Sequence, residues 1–321
     1  MTRSVTAARA WHRVALAGVL LLVVFLSFFR LEQEGYGNLY YAAAVKSMLT
    51  DGHNFFFVSF DPGGFVTVDK PPLGLWVQAA SAALLGFSGF SLILPQALAG
   101  VLSVGLIYHL MRRTFGPTAG LLAAAVLALT PISVAANRNN TMDSQLVLVL
   151  LLAAWTVLRA VETGRLRWLL VCAVLVGLGF NIKMLQAYMV LPAFYLLYLL
   201  ASPLRWWKRL LHLALATAVL LTISLAWAVA VDLTPPDERP YVGSSQSNSA
   251  LELIIGHNGL SRLLPGGLRA LTGAGGPGQA RRSDPGGRPP PGQTQGLPLP
   301  AGRPPVGQKQ NPPPPGGRLG H

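Results

Sequence analysis

The sequence predicts an all-α polytopic membrane protein with about seven transmembrane helices. Three observations lead there. Only 12% of the 321 residues are charged, against about a quarter in soluble domains. Apolar runs close to the length of a bilayer crossing recur along the chain, and mean hydropathy is +0.47. Short alternating strands of the kind a membrane β-barrel needs are absent.

Seven segments are long and apolar enough to span: 12–30, 92–111, 118–136, 144–161, 166–182, 186–202 and 210–231. The first is too long for a signal-peptide core, and no small-residue cleavage site follows it, so it reads as an uncleaved span. An eighth stretch, 73–91, is short, rich in Ala, Gly and Ser, and follows Pro71-Pro72. Charge decides its placement. Arg3, Arg9 and Arg13 put the N-terminus, residues 1–11, in the cytoplasm. If 73–91 stays on the surface, the clusters around Arg112-Arg113, Arg159 to Arg167 and Arg205 to Arg209 are all cytoplasmic. Glu32, Glu34, Asp51, Asp61, Asp69 and Asp143 then lie outside. A crossing at 73–91 would reverse every later loop and break this rule. The segment is therefore expected to be a helix at the outer interface, partnered by a second interfacial helix over 38–49.

The net charge of +13 fits cytoplasmic loops of a bacterial plasma-membrane protein, and no nucleic-acid partner is expected. The lone Cys172 sits in an apolar run, which excludes a disulfide framework and reads as a small packed residue. Gly177-Leu178-Gly179 lies inside a span and reads as helix packing. The domain reading is a membrane domain over 12–231, an outer catalytic loop over 31–91, and the start of an outer region over 232–265. A Pro/Gly-rich tail over 266–321 is expected to be disordered.

The chemistry gathers on the outer side. Phe60 to Pro72 reads FDPGGFVTVDKPP and carries Asp61, Asp69 and Lys70. Arg138 and Asp143 occupy the next outer loop, and Lys183 ends the fifth span. Lys and Arg at a membrane surface suit a lipid phosphate. Carboxylates suit a general base for an acceptor hydroxyl, or ligands of a hard divalent cation. Departure of a phosphate needs cations as the bond breaks. Each residue also has a structural reading. Asp69-Lys70 could be a surface ion pair, Arg138 could pair with Asp143, and Lys183 could snorkel. His53 and His257 read as solvated loop histidines.

Asp69-Lys70-Pro71-Pro72-Leu73 resembles the acidic-Lys-Pro-Pro motif of C-type membrane glycosyltransferases. That family includes protein O-mannosyltransferases and the lipid A aminoarabinose transferase. The stretches 41–49, 94–100, 112–117, 138–143 and 181–183 agree with it in order and spacing, most closely with actinobacterial-type members. The resemblance covers about 30–265. It implies transfer of a sugar from a polyprenyl phosphate to a hydroxyl of protein, lipid or cell-wall glycan on the extracytoplasmic face. It implies donor-phosphate binding by Lys70, Arg138 and Lys183 and catalytic roles for Asp69 and Asp143. A divalent metal, if used, could be held by Asp69 and His257. Where many members carry an Asp-Glu pair, this chain has Gly37-Asn38, so the base falls to Asp69 or Asp143. Family members are longer, and the chain reads as C-terminally truncated, with an inactive remnant as an alternative. A lipid-linked sugar carrier is the other alternative, but it needs polar residues at the bilayer midplane, where the spans place almost none.

Overall fold

In a computed structural model of the chain, residues 2–255 are described. The tail expected to be disordered, the end of the outer region and His257 lie outside them. The described part is helical, with two isolated β-bridges, Ser59 to Thr67 and Val66 to Tyr241.

Helix α1 (Thr2–Phe28) is followed by a 3-10 turn at Leu31–Glu34 and three short helices, α2 (Leu39–Met48), α3 (Gly52–Phe57) and α4 (Leu73–Leu85). Next come α5 (Gly89–Phe115), α6 (Pro117–Leu129), α7 (Pro131–Asn137), α8 (Asp143–Thr163) and α9 (Leu166–Lys183). A 3-10 stretch, Met184–Val190, leads into α10 (Leu191–Ala201), then α11 (Trp206–Leu233) and α12 (Ala250–Ile255).

Five helical segments are long and apolar enough to cross a membrane, or six when α6 and α7 count as one bent span. One of the five, Leu166–Ala201, contains 36 residues. As a straight helix it would be about 54 Å long, against a hydrocarbon core of about 30 Å. It instead doubles back. A Cβ on Gly164, before α9, would stand 3.3 Å from Pro203, after α10. The α9 residues Leu169, Cys172 and Ala173 pack with Tyr198 of α10 and Leu213 of α11. The chain therefore folds back on itself between α9 and α10. Cys172 is buried in this packing. Gly177 lets α9 approach α11, since a Cβ there would lie 2.8 Å from Ile223.

The short segment at 73 is a 13-residue apolar helix, below the length of the spanning helices. It ends six residues earlier than the sequence suggested. Gly86 takes a left-handed φ of 83°, and Ser88 caps α5 by accepting from the Ser91 amide. The span expected over 118–136 is broken into α6 and α7. Pro131 removes a backbone donor and forces Thr130 into an extended conformation, so the two pieces meet at 64°. Helix α3 was not anticipated. Asp51 caps it through the Asn54 amide, and His53 reaches the Glu238 carbonyl at 3.0 Å.

The loops between α1 and α5 form a layer over one end of the bundle. Trp76 Nε1 donates to the Phe55 carbonyl at 2.7 Å, and Trp227 Nε1 to the Phe56 carbonyl at 3.0 Å. The segment after α11 closes the layer. The Thr67 amide donates to the Tyr241 carbonyl and the Tyr241 amide to the Phe65 carbonyl, and Asp232 accepts from Ser249 and from the Ala250 and Leu251 amides. Entry into α5 is equally tight. A Cβ on Gly89 would lie 1.7 Å from the Gly35 carbonyl oxygen, where backbone must move to make room. Gly89→Ala is expected to destabilise the fold by about 3 kcal/mol, measured by reversible denaturation in micelles. An unchanged midpoint would show that this turn is not packed as described.

Candidate functional site

Lys70 is the most deeply placed of the candidate charges. It is 6% exposed as a residue, and its Nζ lies 2.6 Å from Asp69 Oδ2. This is not a surface pair. Burial strips water from both groups, so each depends on the other and on whatever else approaches. Pro71 and Pro72 stiffen the exit into α4, where the Trp76 amide bonds the Pro72 carbonyl at 2.8 Å.

Asp69 is held from α2. The Tyr40 hydroxyl accepts from the Asp69 amide at 3.3 Å and also hydrogen-bonds the Asp69 carboxylate. Burial, and then the carboxylate's charge, hold the Tyr40 phenol above its ordinary value. Its ring stacks on Phe60 with centroids 4.9 Å apart. Tyr40 thus ties the tyrosine helix to both ends of the Phe60–Pro72 loop, a role its sequence position as an interfacial aromatic did not reveal.

Asp143 opens α8 and pairs with Lys183 at the end of α9. The carboxylate is 45% exposed and the lysine side chain 18%, so Lys183 is directed to the carboxylate and not out to water. Arg138 pairs with neither aspartate. Its Nε and Nη2 grip Glu34 Oε1 at 2.8 and 2.6 Å, and Nη1 donates to the carbonyls of Leu26 and Phe29. Four of its five N–H groups are thus spent fastening the end of α1 to the second loop. The structure brings Asp69 to Lys70 and Asp143 to Lys183, and places Arg138 in a separate joint.

The Gly37-Asn38 position is a joint too. Asn140 is fully buried. It accepts from the Asn38 amide at 2.7 Å, donates to the Asn38 carbonyl at 3.1 Å, and takes Gln78 Nε2 on its own carbonyl at 2.8 Å. Gly37 has φ of 63°, and a Cβ there would stand 2.9 Å from the Asn140 side chain. Neutral amides and a missing side chain lock the 31–91 loop onto the loop before α8.

That contact continues toward α8. A Cβ on Gly74 would lie 2.3 Å from Met142, the residue before Asp143. The Lys70 loop and the Asp143–Lys183 pair are therefore carried on packed neighbours. Beside them a cavity of about 520 Å³ runs between α4, α5 and α8. Leu73, Val77, Leu94, Leu98 and Leu102 line it, and the polar Gln145 enters it. Gln145 is 7% exposed, and neither of its amide atoms has a partner among the described residues. Gln96 on α5 is fully buried with the same deficit. Sequence reading passed over both glutamines because each sits in an otherwise apolar run. An uncharged amide in a span is the signal that could have found them.

Among the described residues, no three His, Cys, Asp or Glu side chains converge as metal ligands. Asp69 meets an ammonium, and His257 lies outside the described residues, so the groups in view do not form a divalent-cation site.

Residues 69–227 match the family model described as dolichyl-phosphate-mannose-protein mannosyltransferase. The chain is 53% identical over 249 residues to YycA of Bacillus subtilis (strain 168), named provisionally as a mannosyltransferase; the match covers 78% of this chain and 36% of that one. It is 30% identical over 238 residues to an undecaprenyl phosphate-alpha-4-amino-4-deoxy-L-arabinose arabinosyl transferase of Pseudomonas savastanoi pv. phaseolicola (strain 1448A / Race 6), covering 70% of this chain and 43% of that one. The fold resembles the crystal structure of ArnT from Cupriavidus metallidurans bound to undecaprenyl phosphate, with a TM-score of 0.53 and 25% identity over 72% of this chain and 43% of that chain. The chain thus spans between about a third and two fifths of the length of the curated relatives it matches. Sequence and fold together place it in the family of integral membrane glycosyltransferases that includes the dolichyl-phosphate-mannose-protein mannosyltransferases and ArnT.

Proposed function

We propose that this chain takes part in transfer of a glycosyl group from a polyprenyl-phosphate donor to an acceptor hydroxyl at the extracytoplasmic face of a bacterial plasma membrane. The observation that carries the reading is the buried Lys70–Asp69 pair just before Leu73, which lines the apolar cavity between α4, α5 and α8. A long prenyl chain suits the cavity, and a phosphate suits an ammonium held where water is excluded. Gln145, buried without a partner, supplies amide hydrogens for the donor's polar end. The family relationship, and the undecaprenyl phosphate bound to ArnT, support the same donor class.

In this reading Lys70 binds the phosphate and stabilises charge on it as the glycosyl bond breaks. Asp143, the more exposed carboxylate, takes the proton of the acceptor hydroxyl as its oxygen attacks the anomeric carbon. Lys183 pairs with Asp143 and orients it. Tyr40 positions Asp69, which in turn holds Lys70. Arg138 acts by holding α1 and the second loop together, and its remaining N–H is available to the donor. The basic loops lie at the opposite end of the bundle and face the cytoplasm.

The experiment is transfer by isolated membranes supplied with a panel of labelled polyprenyl-phosphate sugars. Asp143→Asn keeps the side-chain shape and removes the base, and it should lower transfer by about 100-fold or more. The protein should remain inserted at normal level. Full transfer by Asp143→Asn would remove Asp143 from catalysis. Full transfer by both Asp143→Asn and Lys70→Ala would overturn the proposed site.

A further inference from the structure

The start of α8 separates two cavities. Gln145 faces the apolar one, whereas Asp143 lies on the other side, in a cavity of about 480 Å³ between α5, α7 and α8. The second cavity has a different chemistry. No lysine, arginine or histidine lines it, and its one charged residue is the Asp143 carboxylate. That carboxylate is already paired with the Lys183 ammonium, which lies outside the lining, so the cavity offers a phosphate no unspent cation. The polar lining is otherwise hydroxyl and amide. Ser133, Asn139 and Thr141 line it, and the Ser133 and Thr141 hydroxyls and the Asn139 Nδ2 have no partner among the described residues. Unspent neutral donors and acceptors beside a half-exposed carboxylate suit the hydroxyls of a sugar or polyol.

The shape has a cause in the sequence. The 64° bend at Thr130-Pro131 carries α7 away from the line of α6. Asn137 does not fill the space, because Gly100 lets it sink against α5, where it bonds Ser27 and Ser144. On its flank the cavity is bordered by Ile132, 75% exposed, and Val147, 41% exposed. Both are apolar and belong to membrane segments, so the opening faces acyl chains and suits a ligand carried on a lipid.

We propose that this cavity binds a neutral, hydroxyl-rich glycosyl or polyol headgroup carried on a membrane lipid, with Asp143 accepting a hydrogen bond from one of its hydroxyls. Two sources share this chemistry: the glycosyl group of the donor and a glycolipid acceptor. The part given to Asp143 in transfer rests on the function proposed above, whereas binding needs no turnover.

The test uses the full chain in phosphatidylglycerol nanodiscs and two photoreactive probes. One is a diazirine-bearing alkyl β-glucoside; the other is the matching alkyl phosphate without sugar. The glucoside should label peptides spanning 131–144, and excess unlabelled decyl glucoside should suppress that labelling. Ser133→Trp, which fills the cavity, should reduce it about tenfold while the phosphate probe still labels α4 and α5. Leu98→Trp, in the other cavity, should do the reverse. If Ser133→Trp loses both signals, the smaller change Ser133→Ala with Thr141→Val must weaken competition by decyl glucoside while leaving the phosphate probe unaffected. Displacement by a polyprenyl-phosphate sugar but not by the bare polyprenyl phosphate would assign the cavity to the donor's sugar. Displacement by neither would assign it to a glycolipid acceptor. Labelling of 131–144 equally by both probes, or glucoside labelling that excess glucoside fails to suppress, would overturn the proposal. A chain that binds the glucoside but transfers nothing would leave the cavity assignment intact and remove only the transfer reading.

Discussion

Lys70→Ala should lower transfer from a polyprenyl-phosphate sugar by about 100-fold or more, the scale expected when a preorganised charge is withdrawn from a developing phosphate anion. The effect should be large for two reasons. The ammonium is buried, so its interaction with a phosphate is weakly screened. Its removal also leaves the Asp69 carboxylate, 18% exposed, without its cation and facing the place the phosphate must occupy. Repulsion then adds to lost attraction. Lys70→Ala with Asp69→Asn should recover part of the donor binding without restoring the rate, because the repelling charge has gone but the cation has not returned. Donor binding measured separately from turnover distinguishes the two. Donor affinity unchanged in Lys70→Ala would place the phosphate elsewhere.

Asn140→Ala should destabilise the chain by about 3 kcal/mol, an effect on folding more than on chemistry. The side chain joins the 31–91 loop to the loop before α8 with two hydrogen bonds to the Asn38 backbone. Truncation orphans the half-buried Asn38 N–H, at roughly 1–3 kcal/mol for a group left unmade, and takes one of two bonds from the Asn38 carbonyl, which keeps the Ala42 amide. The cavity left under Gly37 adds to this. Thermal or denaturant unfolding in micelles measures it. Asn140→Asp is the informative companion. A carboxylate can still accept from the Asn38 amide but cannot donate to its carbonyl, so it should fall between Ala and the native residue. An Asn140→Ala variant as stable as the parent would show that the two loops are held by other contacts.

Much of this protein could be read without coordinates. The apolar spans follow from the lengths of the apolar runs, and the arginines give the expectation that α4 lies at the surface. Lys70 stood out because charge beside Pro-Pro between apolar runs is costly unless it is used. The resemblance of Asp69–Leu73 to a glycosyltransferase motif was also legible, since that signal is local in the chain.

Pairing was not legible. Arg138 and Asp143 are five positions apart, yet they take Glu34 and Lys183, because distant helix ends bring those partners closer than the local loop does. Gly37-Asn38 read as missing acids; only the tertiary contact reveals them as the seat for Asn140. The buried amides of Gln96 and Gln145 disappear into apolar averages along the chain, and their surroundings come from other helices. Composition and periodicity determined that this chain spans a membrane, since the bilayer acts on each segment separately. The joining of charges, the two cavities on either side of α8 and the partners of each carboxylate were decided by helix packing, where residues far apart in sequence are fixed a few ångströms apart.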